Sequence, residues 1–86
     1  MTLQELKEKI EAIVPNSTVY ILDPMRDGQH LQALVVSEAF AGLPLIKQHQ
    51  MIMRPLRDAF AVSLHALGLK TFTPEKWNAV KEQYEI

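Results

Sequence analysis

Cysteine is absent from this 86-residue sequence. That one absence removes disulfide scaffolds, Cys-ligated zinc sites and thiol nucleophiles from consideration. Long apolar runs are missing too: no stretch approaches the ~20 consecutive residues a membrane span needs. Nor is there an excess of charge of either sign. Nine basic side chains stand against ten acidic ones, for a formal net charge of -1. This argues against a general polyanion binder and leaves room only for a local basic patch. The first residues, Met1-Thr2-Leu3-Gln4-Glu5, lack the basic-then-apolar order of a signal peptide, so a cytoplasmic address is expected. Nucleophile elbow, P-loop and dinucleotide fingerprint are all lacking, and the acids are scattered over helix surfaces. The expectation is therefore a non-enzyme. What the chain does have is 48% hydrophobic residues, enough for one domain over residues 1–86. A domain of this size buries roughly 60–65% of the surface its unfolded form exposes.

The apolar pattern organises that domain. Leu3, Leu6, Ile10 and Val14 recur at helical spacing behind a Thr2/Glu5 capping box, and Pro15 ends the helix. Thr18-Val19-Tyr20-Ile21-Leu22 is β-branched and aromatic and reads as a strand. A loop with two turn signals, Asp23-Pro24 and Asp27-Gly28, leads to a second strand from Leu31 to Val36, antiparallel to the first. Ser37 to Phe40 makes one helical turn, broken at Gly42. A long helix starts at Pro44, with Leu45, Ile52, Leu56 and Phe60 inward and Ile46 and Met53 beside them; Pro55 is expected to bend or break it. Ser63 to Phe72 reads as a third strand. Thr73-Pro74-Glu75 then caps a last helix that buries Trp77, Val80 and Tyr84. The expected fold is α+β, a two-layer arrangement in the order α-β-β-α-α-β-α. A three-stranded sheet carries its helices on one side, similar to a type II KH domain.

Spacing alone does not select a ligand. His30 ends the loop before the second strand, His65 opens the third strand in phase with Leu67 and Leu69, and His49 lies within the long helix. Such isolated histidines are most often hydrogen-bonded core or rim residues. Asp23 and Asp27 are better explained by turn chemistry than as an acid and base pair. From Ala39 to Arg57 the chain carries Lys47, Arg54 and Arg57 without one acid, and Lys47 and Arg54 lie along nearly the same helix face. That stripe suits a phosphate backbone, although a solvated face has the same composition.

Two longer motifs carry more. Val35-Val36-Ser37-Glu38-Ala39-Phe40-Ala41-Gly42-Leu43-Pro44-Leu45-Ile46-Lys47-Gln48-His49-Gln50 resembles the central block of the BolA family. So does Leu64-His65-Ala66-Leu67-Gly68-Leu69-Lys70-Thr71-Phe72-Thr73-Pro74-Glu75-Lys76-Trp77. With Asp27-Gly28-Gln29-His30-Leu31-Gln32-Ala33 the resemblance covers nearly the whole chain, and it is similar to short bacterial and cyanobacterial members with a Gly-x-His loop. Two departures stand out. Gln48 occupies a position where many members have arginine, which removes a charge from the basic surface, and His30 stands where another branch places cysteine.

The resemblance implies an adaptor. BolA-like proteins pair with monothiol glutaredoxins, whose active site reads Cys-Gly-Phe-Ser, and the pair shares a glutathione-containing [2Fe–2S] cluster or forms a cluster-free complex. By motif, His65 matches the family's C-terminal histidine ligand, and His30 matches the loop position that supplies a second metal contact. His49 receives no ligand role. Imidazoles can replace thiolates on a cluster iron, which raises the potential. A ligating imidazole must be neutral, and free imidazoles protonate near pH 6.5, so such binding weakens in acid. Family members are also described as transcriptional regulators, which makes Lys47, Arg54 and Arg57 the candidate nucleic-acid contacts and DNA a candidate partner. For the free chain, monomer and homodimer are both compatible with the sequence.

Overall fold

The computed structural model describes residues 3–26, 30–60 and 67–84. Helix α1 (Leu3–Ile13) buries Leu6 and Ile10, and Val14 just beyond it continues the same i, i+4 series; Leu3, on the first turn, stays 40% exposed. Thr2, expected to form a capping box with Glu5, lies outside the described residues. Asn16 takes a left-handed φ of 52°, a conformation asparagine tolerates. The chain then turns into strand β1 (Thr18–Leu22), which pairs antiparallel with β2 (Leu31–Val36) from Thr18↔Val36 to Leu22↔Gln32. The Asp-Pro signal is a turn: the Arg26 N–H donates to the Asp23 carbonyl at 3.1 Å. Asp27 and Gly28, the second signal, lie outside the described residues.

After β2, buried Ser37 ties three segments together. Its hydroxyl accepts from the Ala39 N–H at 3.1 Å, capping a short 3-10 turn (Glu38–Phe40), and donates to the Pro15 carbonyl at 3.0 Å. Its own N–H donates to the Phe72 carbonyl at 2.9 Å. Gly42, at φ 77°, adopts the conformation that ordinary side chains avoid, and it turns the chain toward helix α2 (Leu45–Phe60). Strand β3 (Leu67–Phe72) lies parallel to β2, giving the sheet order β1-β2-β3. The stretch 63–66, expected to begin this strand, lies outside the described residues. Thr73 caps helix α3 (Pro74–Val80) by accepting from the Lys76 N–H, with Pro74 in the first turn, and a second 3-10 turn (Lys81–Tyr84) follows.

The α+β class and the expected order stand, with the short helix after β2 being the 3-10 turn. Three expectations need correction. First, the helices do not lie on one side. Leu31, Ala33 and Val35 of β2 join Val19, α1, Phe40 and the Ile52/Leu56 pair of α2 in an inner core. Leu34 and Val36, of opposite parity, join Trp77 with Tyr20, Leu22, Phe72, Val80 and Tyr84 around them. Helix α3 therefore covers the face opposite α1 and α2. The reason is in β2 itself, which is apolar on both parities and needs cover on both faces. Second, α2 runs unbroken through Pro55. An interior proline costs about 3 kcal/mol. Fully buried Ile52 and Leu56 flank it, and burying two such side chains offsets a cost of that size at about 1.5–3 kcal/mol each. Third, Leu45 is not inward but 61% exposed. It is in phase with Ile52, but on the first turn it lines an open hollow rather than the core; phase sets direction, not cover.

The outer layer is aromatic. Trp77 stacks on Tyr20 at 5.3 Å and on Tyr84 at 5.6 Å between ring centroids, with Phe72 tilted against it at 5.3 Å. Phe72 and Trp77 are packing residues, as their spacing implied.

Candidate partner interface

Two surfaces carry the residues singled out by the sequence. The first is one end of the sheet. In the parallel ladder Leu31 faces Leu67, so the chain runs into β2 and into β3 at the same end. Exposed His30 immediately precedes Leu31 there. His65, the principal ligand candidate, stands two residues before Leu67 in the sequence and lies outside the described residues. Leu67 and Leu69, two and four positions further along the sequence, pack against the inner core. Among the described residues no three His, Asp or Glu side chains come together in a way that would hold a metal ion. With no thiolate in the chain, its metal donors are imidazole nitrogens and carboxylate oxygens, of which imidazole is the one suited to an iron–sulfur centre.

The second surface is the solvent side of α2. Lys47, Arg54 and Arg57 are all exposed. The structure separates them: Arg54 and Arg57 line an open hollow of about 740 Å³ together with Leu45, Ile46, His49 and Met53, and Lys47 is not part of its lining. Arg57, on the last turn, also complements the negative end of the helix dipole. His49 is half-buried at this rim, the boundary role its position suggested. Sequence reasoning missed the hollow itself. Its signal was the mixed stripe Ile46, Gln50, Met53 and Arg57 at i, i+4, i+7 and i+11, a separate face from that of Ile52 and Leu56.

Gln48 has a structural reason to replace arginine. Its Nε2 donates to the Leu43 carbonyl at 2.8 Å and the Phe40 carbonyl at 3.3 Å, while its Oε1 accepts from the Thr71 hydroxyl. The side chain thus clamps the start of α2 to the preceding loop and to β3. Arginine could keep the donations but has no acceptor for Thr71.

No helix among the described residues is long and apolar enough to cross a membrane. The sequence profile of BolA-like proteins matches residues 4–76. The DNA-binding transcriptional regulator BolA of Vibrio cholerae is 33% identical over 60 residues, covering 70% of this chain and 57% of the Vibrio protein. The acid stress protein IbaG of Escherichia coli K12 is 36% identical over 52 residues, covering 59% of this chain and 62% of that one. The matches thus span under two-thirds of both curated relatives, which are named as a regulator and a stress protein rather than as enzymes. Among solved structures, a BolA homologue from Coxiella burnetii superposes with a TM-score of 0.74 at 29% identity, covering 91% of this chain and 97% of the other. The BolA domain of SufE1 from Arabidopsis thaliana gives 0.67 at 31%, covering 85% and 92%. Profile, relatives and sheet topology agree, and the chain belongs to the BolA-like protein family.

Proposed function

We propose that this chain is an adaptor that pairs with a monothiol glutaredoxin in the cytoplasm and lends imidazole to a [2Fe–2S] cluster shared with that partner and glutathione. The observation that carries the proposal is the Leu31↔Leu67 rung: His30 directly precedes one of these paired residues, and His65 stands two positions before the other in the sequence. The donor chemistry fits lending rather than holding. A chain without cysteine cannot satisfy a cluster alone, so the sulfur ligands come from the partner and glutathione. When bound, the cluster supplies an exchangeable, redox-active unit. The chain's own share is to supply neutral imidazole and to replace an anionic thiolate with an uncharged nitrogen. That makes the shared site less anionic and alters its potential. A mixed site of this kind suits iron–sulfur trafficking or iron and redox regulation.

The test is visible circular dichroism of a cluster-loaded monothiol glutaredoxin with glutathione. Adding the wild-type chain is expected to change the spectrum, His65→Ala to abolish that change, and His30→Ala to diminish it. An unaltered spectrum with wild type, or a response indifferent to His65→Ala, overturns the proposal.

A second reading has its own support: three exposed cations on α2 and a relative named as a DNA-binding regulator. If Lys47, Arg54 and Arg57 hold phosphates, duplex binding falls steeply with salt, and Lys47→Glu or Arg54→Glu weakens it and flattens the salt slope. A gel-shift series across ionic strength checks this, and no shift at low salt removes the reading.

A further inference from the structure

Five large apolar side chains are left exposed among the described residues, and three of them fall within four positions: Leu43, Leu45 and Ile46, at 39%, 61% and 65%. Single exposed leucines are ordinary, but a contiguous patch beside a hollow marks an interaction surface. Leu45, Ile46 and half-buried Met53 form the apolar part of the hollow on α2, and Arg54 and Arg57 its basic part. The only acid on α2, Asp58, is not in the lining. The two parts are spread along the helix. Ile46 and Arg57 lie eleven residues apart in the sequence, which at the α-helical rise is about 16 Å.

That layout selects the class of ligand. A small carboxylate would occupy the arginines and leave the aliphatic end in water. A phosphate backbone would also satisfy the arginines, but it would set Leu45 and Ile46 against charged groups. A peptide segment about three helical turns long meets both ends, with aliphatic side chains over Leu45, Ile46 and Met53. Its carboxylates then reach the guanidinium groups, whose planar donors suit them bidentately. We infer that the α2 hollow docks a partner protein through an acidic amphipathic segment. The occupant follows from charge complementarity, because among the described residues the lining carries arginine and no acid. The site uses neither His30 nor His65, so it stands or falls independently of the cluster proposal.

The experiment is an amide-shift titration of the ¹⁵N-labelled full chain with synthetic helical peptides of about 16 residues, long enough to span α2. One peptide carries a leucine stripe with glutamates elsewhere; the second has lysine in place of every glutamate; a duplex DNA is the third probe. The acidic peptide is expected to shift amides of residues 45–57 and to bind at least about tenfold tighter than the lysine version. The doubly substituted Arg54→Glu, Arg57→Glu chain loses about tenfold in affinity for it, and Ile46→Ser loses several-fold because the apolar anchor is gone. All three positions are exposed, so these variants keep the fold. Equal affinity for both peptides, shifts centred away from α2, or DNA binding that ignores Ile46→Ser while the acidic peptide fails to bind would each overturn the inference.

Discussion

Phe40→Ala is expected to lower the unfolding free energy by about 3–5 kcal/mol. Phe40 is 1% exposed and comes from the 3-10 turn, not from a long element, yet it fills the inner core between β2 and the two covering helices. Its backbone is fixed from both sides: the Phe40 N–H donates to the Ser37 carbonyl at 3.3 Å, and the Leu43 N–H donates to the Phe40 carbonyl at 3.1 Å. Gln48 adds a donor to that same carbonyl. The turn is therefore held and cannot follow the truncated side chain inward, so the cavity persists. Total stabilities of small domains run to about 5–15 kcal/mol, so this single change removes a large share. Urea unfolding followed by far-ultraviolet circular dichroism reads the loss, with the midpoint falling by about 2 M or more at a typical slope for this size. A midpoint close to that of wild type would show that the turn relaxes and that the core is looser than described.

Trp77→Ala is expected to cost a similar amount, about 3–4 kcal/mol, but to distribute it differently. Trp77 is the centre of the outer layer: it is 8% exposed and touches Tyr20, Phe72 and Tyr84 through ring contacts. The inner core of α1, α2 and β2 does not depend on it. Removing the indole thus takes away most of what holds α3 to the sheet and leaves the other face covered. Local opening follows contact density, so amides of residues 74–84 should exchange at rates near those of an unfolded chain while β2 amides keep protection set by global stability. Hydrogen exchange resolved by residue distinguishes this from uniform loss. If α3 retains wild-type protection, the two-sided architecture is wrong as an energetic description.

Much of this architecture was legible in the residues. The β-branched run at Thr18–Leu22, the period of Leu6, Ile10 and Val14, and the Thr73-Pro74-Glu75 start all encode local structure, and local structure is what short-range patterns report. The misreadings concern what lies opposite. The two-parity apolar run of β2 announced cover on both faces, but only the position of Trp77 across the sheet makes that visible. Leu45 has the right helical phase yet stays exposed. Pro55 carries a local penalty that the burial of its neighbours Ile52 and Leu56 outweighs, and that burial depends on tertiary packing. At the candidate interface, Lys47, Arg54 and Arg57 were readable as a basic stripe because charge needs no tertiary context. That only two of them share a hollow with exposed aliphatic groups depends on how α2 is turned against the sheet. The closeness of His30 to the start of β3 depends on a parallel register between strands separated by a long crossover, which composition does not encode.

That crossover has a consequence for biosynthesis. The hairpin of β1 and β2 leaves the ribosome early, whereas β3 and α3 follow about thirty residues later, and closing so long a loop is entropically slow compared with making a hairpin. Until then the greasiest strand of the protein shows one naked edge and, on the side that α3 later covers, one uncovered face to its surroundings. The newborn chain is stickiest in the interval before its final stretch emerges, and a stalled or truncated product ending before Leu67 would be a natural client for chaperones and a seed for aggregates.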